Sequence, residues 1–294
     1  MDRGACRCAC IVPGRTMSGA RRRRVAAMQT HEWFPAQDAQ PAARDAVRLY
    51  CFHHAGGSAA SYAGWRRGRI AGARVCAVQL PGRAGQPAQH AAVTVADIVG
   101  PLADAFARHR AEAGDAPFVF YGHSLGALVA FELTRTLRRR GQPQPALLVV
   151  SGRRAPACPL RGRPLWDRPD DELLDALACM GGMAPSLLAS AKWREFVLPS
   201  LRADLRLSDM YARPREAPLA LPIHAFRGHD DPILDADEIA AWRHETTGHA
   251  RVATLPGAHF FDAEGTSALQ AHIDAELAAQ ARIATAHPNL EMLT

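Results

Sequence analysis

The sequence predicts an α/β domain built on a doubly wound, mostly parallel sheet. Three observations carry that prediction. From residue 47 onward, short apolar runs alternate with amphipathic stretches, the strand–helix–strand rhythm of parallel sheets. The run at 117–121 is almost wholly apolar, as a strand buried on both faces must be. That run passes directly into Gly122-His123-Ser124-Leu125-Gly126 and then into an apolar helical pattern, so the chain must turn sharply there.

The elements follow in order. Residues 47–52 form a β-rich run, and 74–80 form a second, closed by Pro81-Gly82. Thr94 opens a helix through a Thr-x-x-Asp cap, and Val95, Ile98, Val99, Leu102 and Phe106 recur at helical spacing. The third strand is 117–121, followed by a helix over 124–139 and a fourth strand at 146–151. The fifth and sixth strands are 223–227 and 251–255, with a helix over 235–245 between them. Residues 267–279 close the domain, with Leu269, Ile273 and Leu277 on one face. Between 156 and 216 the rhythm lapses into helical segments at 170–180, 184–196 and 198–211. Roughly sixty residues without a strand exceed a simple crossover. The expectation is a helical lid inserted over the carboxyl edge of the sheet. The core then comprises 31–155 and 217–285, the lid insertion 156–216, and the tail 286–294. A basic leader over 1–30 stands outside the fold.

Charge supports this division. The net charge is +6, and residues 1–30 hold seven arginines against Asp2 alone. The remainder carries 28 basic and 28 acidic groups, so the domain has no electrostatic footprint for nucleic acid. No run of about 18 apolar residues exists, so no membrane span is expected. In the leader the arginine run follows the weakly apolar part, the reverse of a signal peptide. A disordered extension is expected, with Met17 and Met28 as alternative starts. Cys6, Cys8 and Cys10 lack the histidine or second cysteine pair of a metal site, and no metal or cofactor is expected. Cys51, Cys76, Cys158 and Cys179 are scattered and read as free thiols of a cytoplasmic protein.

Gly-x-Ser-x-Gly between a buried strand and a helix is the nucleophile elbow of the α/β-hydrolase fold. It makes Ser124 the expected nucleophile and the Leu125 N–H, at a helix start, an expected oxyanion donor. A serine needs a base, and the base needs an orienting acid, in the chain order Ser, Asp or Glu, His. His259, beyond the sixth strand in Leu255-Pro256-Gly257-Ala258-His259-Phe260-Phe261, is the expected base. His224, His244, His249 and His272 lie in a strand or in polar helices and loops, and read as surface or core filler. The acid follows the fifth strand, where Asp230 and Asp231 stand side by side. The spacing Gly-x-x-Asp-x-Ile favours Asp231, with Asp230 as the alternative and a turn-forming role for the other. The loop after the first strand, Phe52-His53-His54-Ala55-Gly56-Gly57-Ser58, supplies the second oxyanion donor, Ala55 N–H ahead of Gly56.

Leu49-Tyr50-Cys51-Phe52-His53-His54-Ala55-Gly56-Gly57-Ser58 resembles the opening block of type II thioesterases, the stand-alone editing enzymes of nonribosomal peptide and polyketide synthesis. Val78-Gln79-Leu80-Pro81-Gly82-Arg83 is similar to a second block, and the elbow, Asp230-Asp231-Pro232 and 255–261 to the others. Trp33-Phe34 resembles the family's N-terminal start. The resemblance spans about residues 30–280. It implies hydrolysis of acyl or aminoacyl thioesters on the phosphopantetheine arm of an acyl- or peptidyl-carrier protein, by an enzyme that works as a monomer without a cofactor. Two positions depart from the pattern: His53 replaces the usual proline, and Ala84-Gly85-Gln86-Pro87 replaces charged residues. Three other readings share the elbow. An esterase or lipase would act on small free esters, a cyclase or acyltransferase would use an amine or alcohol in place of water, and a carrier-binding module would not turn over.

Overall fold

The computed structural model describes residues 29–35, 46–66, 70, 73–82, 94–183 and 185–286. The expected leader, save its last two residues, and the expected tail, save its first, lie outside them, as do Arg83 and 84–87.

The chain runs α1 (Thr30–Trp33), β1 (Arg48–Phe52), β2 (Arg74–Val78), α2 (Val95–Ala113), β3 (Phe118–His123), α3 (Leu125–Arg139), β4 (Leu147–Ser151), α4 (Asp170–Met180), α5 (Pro185–Leu188), α6 (Ala191–Asp209), β5 (Ile223–Gly228), α7 (Ala236–Ala240), β6 (Ala250–Leu255) and α8 (Ala263–Ala286). Six strands form one sheet in the order β2-β1-β3-β4-β5-β6. Every named pair is parallel. The winding direction reverses between β1 and β3, and such a switch point opens a crevice at the carboxyl ends of the two strands.

Strands β1, β3 and β4 are buried along their whole length, which is why their sequences are continuous apolar runs. Alternate side chains serve opposite faces. Tyr50, Phe52 and Phe120 face Trp33, Phe34 and the apolar stripes of α2 and α3. Leu49, Cys51, Val119, Tyr121 and Val149 face Leu269, Ile273 and Leu277 of α8. Helix α2 starts at the predicted cap: Thr94 Oγ1 accepts from the Asp97 N–H at 3.3 Å, and Asp97 Oδ2 accepts from the Thr94 N–H at 2.9 Å. No helix among the described residues is long and apolar enough to cross a membrane.

Three elements differ from their sequence-based bounds. The helices expected at 184–196 and 198–211 are instead a short α5 and one long α6 that runs through Pro199. Proline removes one helical hydrogen bond. Leu198, Leu201 and Leu205 offset that loss by packing with Leu173, Leu177 and Met180 of α4 in a separate apolar cluster. Ala55 and Phe260, from the carboxyl edge of the sheet, pack against the same cluster. The helix expected over 235–245 tightens after Ala240 into a 3-10 turn, Ala241–Glu245. The Trp242 indole is buried there and donates to the Arg153 carbonyl at 2.7 Å. The closing helix α8 extends past 267–279 in both directions, because the apolar stripe marks only its packed turns while alanines continue the helix.

His109 of α2 stacks on Phe34, ring centroids 4.4 Å apart. Burial, reinforced by Arg48, Arg74 and Arg110, pushes its pKa down to about 4. The unfolded chain therefore protonates first, and the stability gained from neutral His109 is complete above about pH 6.5 and lost as pH falls towards 4. His109→Gln should be less stable at pH 7 yet lose less on acidification. The two unfolding free energies should converge by about 1 kcal/mol between pH 7 and 5 after allowance for solvent screening. Parallel urea-derived curves over that range would refute the assignment.

Candidate active site

The site begins with a backbone constraint. Ser124 joins β3 to α3 with φ 55° and ψ −116°, and it is the one non-glycine residue with positive φ among the described residues. Such a conformation costs on the order of 1–3 kcal/mol and persists only where its surroundings enforce it. The flanking glycines allow that enforcement. A Cβ on Gly122 would lie 2.3 Å from the Gly126 carbonyl oxygen, and one on Gly126 would lie 2.0 Å from the Phe52 carbonyl oxygen. Backbone thus sits directly on backbone, and the Ser124 N–H ties the turn to β4 through the Ser151 carbonyl at 2.8 Å. Ser124 stands at the start of α3, whose first N–H groups have no partner within the helix.

The loops after β5 and β6 are built together. A Cβ on Gly228, at the end of β5, would lie 1.8 Å from the Ala258 carbonyl oxygen, so the loops after β5 and β6 also touch through backbone. The His229 N–H donates to Leu255 at 2.8 Å and the Asp230 N–H to Gly257 at 3.0 Å. This registers Asp231 against His259: Nδ1–H of His259 donates to Asp231 Oδ2 at 2.9 Å. Both side chains are buried. The other carboxylate oxygen, Oδ1, accepts from the Ile233 N–H at 3.0 Å. Asp230 instead points outward, with 72% of its side chain exposed, and pairs with His229 at 2.7 Å. Ser124 and His259 line one cavity of about 420 Å³. Ser124 Oγ makes no hydrogen bond among the described residues, and such contacts commonly tighten only around substrate.

The loop after β1 meets the elbow because β1 and β3 are neighbours at the switch point. Three residues that the sequence reading assigned no role hold it. Asp204 of α6, buried, accepts from the Gly56 N–H at 2.8 Å. Gln79 Oε1 accepts from the Ala59 N–H at 2.9 Å. His53, fully buried, donates from Nδ1 to the His54 carbonyl at 2.8 Å and accepts at Nε2 from the Leu80 N–H at 3.3 Å. Where proline would stiffen the loop covalently, His53 stitches it to the chain beyond β2. Asp204 carries no motif, so no sequence signal pointed to it. Gln79 lies within the Gln79-Leu80-Pro81-Gly82 segment, and that motif is its signal in the sequence.

The remaining wall of the cavity is apolar and comes largely from the helices of 156–216: Leu177, Met180, Met183, Trp193 and Leu201, with Phe260 beside His259. Among the described residues, no Asp, Glu, Lys or Arg lines it. His123 lies beneath the site with Nδ1 2.8 Å from Ser151 Oγ and its ring 5.1 Å from that of His259. Burial, then the neighbouring His259 and His54, hold His123 well below its ordinary pKa and keep it neutral. Among the described residues, the side chains with metal-ligand spacing lie elsewhere, at the opposite edge of the sheet.

Comparison with known proteins places this geometry in context. A family model described as a thioesterase domain matches residues 47–277. The gramicidin S biosynthesis protein GrsT of Aneurinibacillus migulanus is 34% identical over 233 residues, covering 79% of this chain and 89% of that protein. Among solved structures, the RedJ thioesterase of the prodiginine pathway in Streptomyces coelicolor is similar with a TM-score of 0.72 and 35% identity, over 84% of this chain and 94% of its own. The type II thioesterase BorB from the borrelidin cluster matches with a TM-score of 0.72 and 31% identity, over 81% of this chain and 95% of its own.

The Asp204–Gly56 bond makes the loop after β1 depend on α6. Asp204→Leu should lower kcat about tenfold through misplacement of the loop, with KM changed less. Asp204→Asn keeps a carbonyl oxygen for Gly56 and should retain most of the rate. Equal kcat for wild type and Asp204→Leu would show that the bond does not position the loop.

Proposed function

The chain belongs to the thioesterase family, and we propose that it is a stand-alone editing enzyme that clears acyl or aminoacyl groups from the phosphopantetheine arms of carrier proteins. Ser124, His259 and Asp231 form its triad. The observation that carries this reading is the buried His259–Asp231 bond at the wall of the cavity that holds Ser124 on its strained turn. Relatives named for gramicidin S and prodiginine pathways support the carrier-bound substrate.

His259 Nε2 takes the Ser124 proton while Oγ attacks the thioester carbonyl, and Asp231 holds the imidazole in the tautomer that leaves Nε2 free to accept. The oxyanion is held by the N–H groups of Leu125 and Ala55. Gly56 is the weaker candidate, because its N–H already serves Asp204 at 2.8 Å. Each donor contributes about 3 kcal/mol to the transition state. Collapse breaks the C–S bond, and the proton on His259 goes to the departing phosphopantetheine thiol. Water then loses a proton to His259, adds to the acyl-enzyme, and displaces Ser124 Oγ, which recovers that proton as the free acid leaves. The apolar wall from α4 and α6 accommodates the acyl group, and helices of 156–216 act as the lid over it.

Ser124→Ala should abolish turnover and labelling by a fluorophosphonate. Asp231→Asn should cost about 10⁴-fold in kcat without loss of fold, whereas Asp230→Asn should stay near wild type. The reverse ranking would move the acid to Asp230. Carrier proteins loaded with acyl groups should be stripped to the free thiol, as read by mass spectrometry of the carrier. Faster turnover of small oxygen esters than of carrier-bound thioesters would favour an esterase.

A further inference from the structure

The edge of the sheet opposite Ser124 carries a second group of chemically active side chains that the thioesterase reaction does not use. His224 is near the start of β5, His249 directly precedes β6, and His272 and Glu276 lie on α8. His272 and Glu276 are four residues apart, so they project from one helix face. His224 Nδ1 is 3.0 Å from His272 Nε2 and 3.9 Å from Glu276 Oε1. One donor atom from each of the three lies within 4.8 Å of the others. We propose that His224, His272 and Glu276 bind a divalent transition-metal ion, best Zn²⁺, which fastens α8 to β5.

The donor geometry suits the ion. Zn²⁺ takes imidazole and carboxylate donors at about 2.0–2.2 Å in a tetrahedron, which sets neighbouring donors about 3.4 Å apart. The separations of 3.0 and 3.9 Å from His224 fall on either side of that value and the third lies within 4.8 Å, so a modest side-chain adjustment forms three legs and leaves the fourth to water. His224 also has the outer support that bound histidines commonly use. Its Nε2 lies 3.3 Å from His249 Nδ1, which fixes the ring with Nδ1 turned to the site. In the ion-free contact one of the two facing nitrogens, His224 Nδ1 or His272 Nε2, carries the shared hydrogen, which moves to the other nitrogen of its ring when the ion binds. The nearby Arg251 charge opposes a cation and weakens its binding. Without an ion, His249, His224 and His272 form a row of neighbouring imidazoles, and α8 is held by Leu269, Ile273 and Leu277.

The test uses the untagged full chain stripped with chelator and titrated with Zn²⁺ alone, by calorimetry and thermal melting. One equivalent should bind, and at a hundredfold excess over Kd the melting temperature should rise by about 5 °C. Both effects should vanish in His272→Ala and in Glu276→Gln, the latter a near-isosteric change on a partly exposed helix face. Thioester turnover should be the same with and without the ion. Failure of the wild type to bind would overturn the proposal. So would equal uptake by wild type and variants, which would assign the ion to cysteines. Loss in one variant alone would overturn the three-ligand site.

Discussion

The close approach of Gly126 to the Phe52 carbonyl governs the geometry of the whole carboxyl edge. It lets the first turn of α3 lie against the end of β1, so the loop that leaves β1 passes directly beside Ser124. It also fixes the strained conformation of Ser124, because the helix cannot retreat to relieve φ 55° without parting from the strand. One backbone contact therefore sets both the aim of Ser124 and its distance from the proposed oxyanion donors. A second backbone contact, Gly228 on Ala258, does the same for Asp231 and His259. Packed backbone has no rotamers to sample, and a site held by it is preorganised at no further entropic cost.

The helices of 156–216 are connected to this edge by polar as well as apolar means. Leu201 and Leu205 shape the cavity, while Asp204 on the same helix reaches Gly56. A displacement of α6 that opened the cavity would also withdraw the carboxylate from the loop. The cavity wall and the loop after β1 are thus joined through one side chain of α6. His53 and Gln79 brace the other side of that loop from the chain around β2, so it is held from both the core and the helical side.

Local chemistry made much of this legible in the sequence. Continuous apolar runs gave the buried strands, the Thr94–Asp97 cap gave the start of α2, and Gly-x-Ser-x-Gly gave the turn at Ser124. Each of these signals is contained within a few residues. The illegible features join residues far apart in the chain. Asp204 meets Gly56 across 148 positions, and His224 meets His272 across 48. A lone aspartate in a helix or a lone histidine in a strand carries no mark of its partner. The continuity of α6 is hidden in the sequence for a related reason. Pro199 is a strong local stop, and only the burial of Leu198, Leu201 and Leu205 overrides it. The choice between Asp230 and Asp231 lies between these cases: spacing favoured Asp231, and the loop contacts show how the backbone turns that side chain inward and its neighbour out.

The neutral state of His123 bears directly on the proposed chemistry. Its ring lies 5.1 Å from that of His259, close enough for a positive charge on one to oppose a charge on the other. In the proposed reaction His259 becomes an imidazolium at each tetrahedral intermediate. A protonated His123 would resist that step, whereas a neutral one leaves the buried Asp231 carboxylate as the dominant charge that His259 feels. Burial on the underside of the elbow, with Nδ1 engaged at Ser151, keeps His123 in the form the mechanism needs. The elbow's strand therefore supplies more than the serine. It places beside the base a polarisable ring that fills space without adding charge, and so the stabilisation of the imidazolium falls to Asp231.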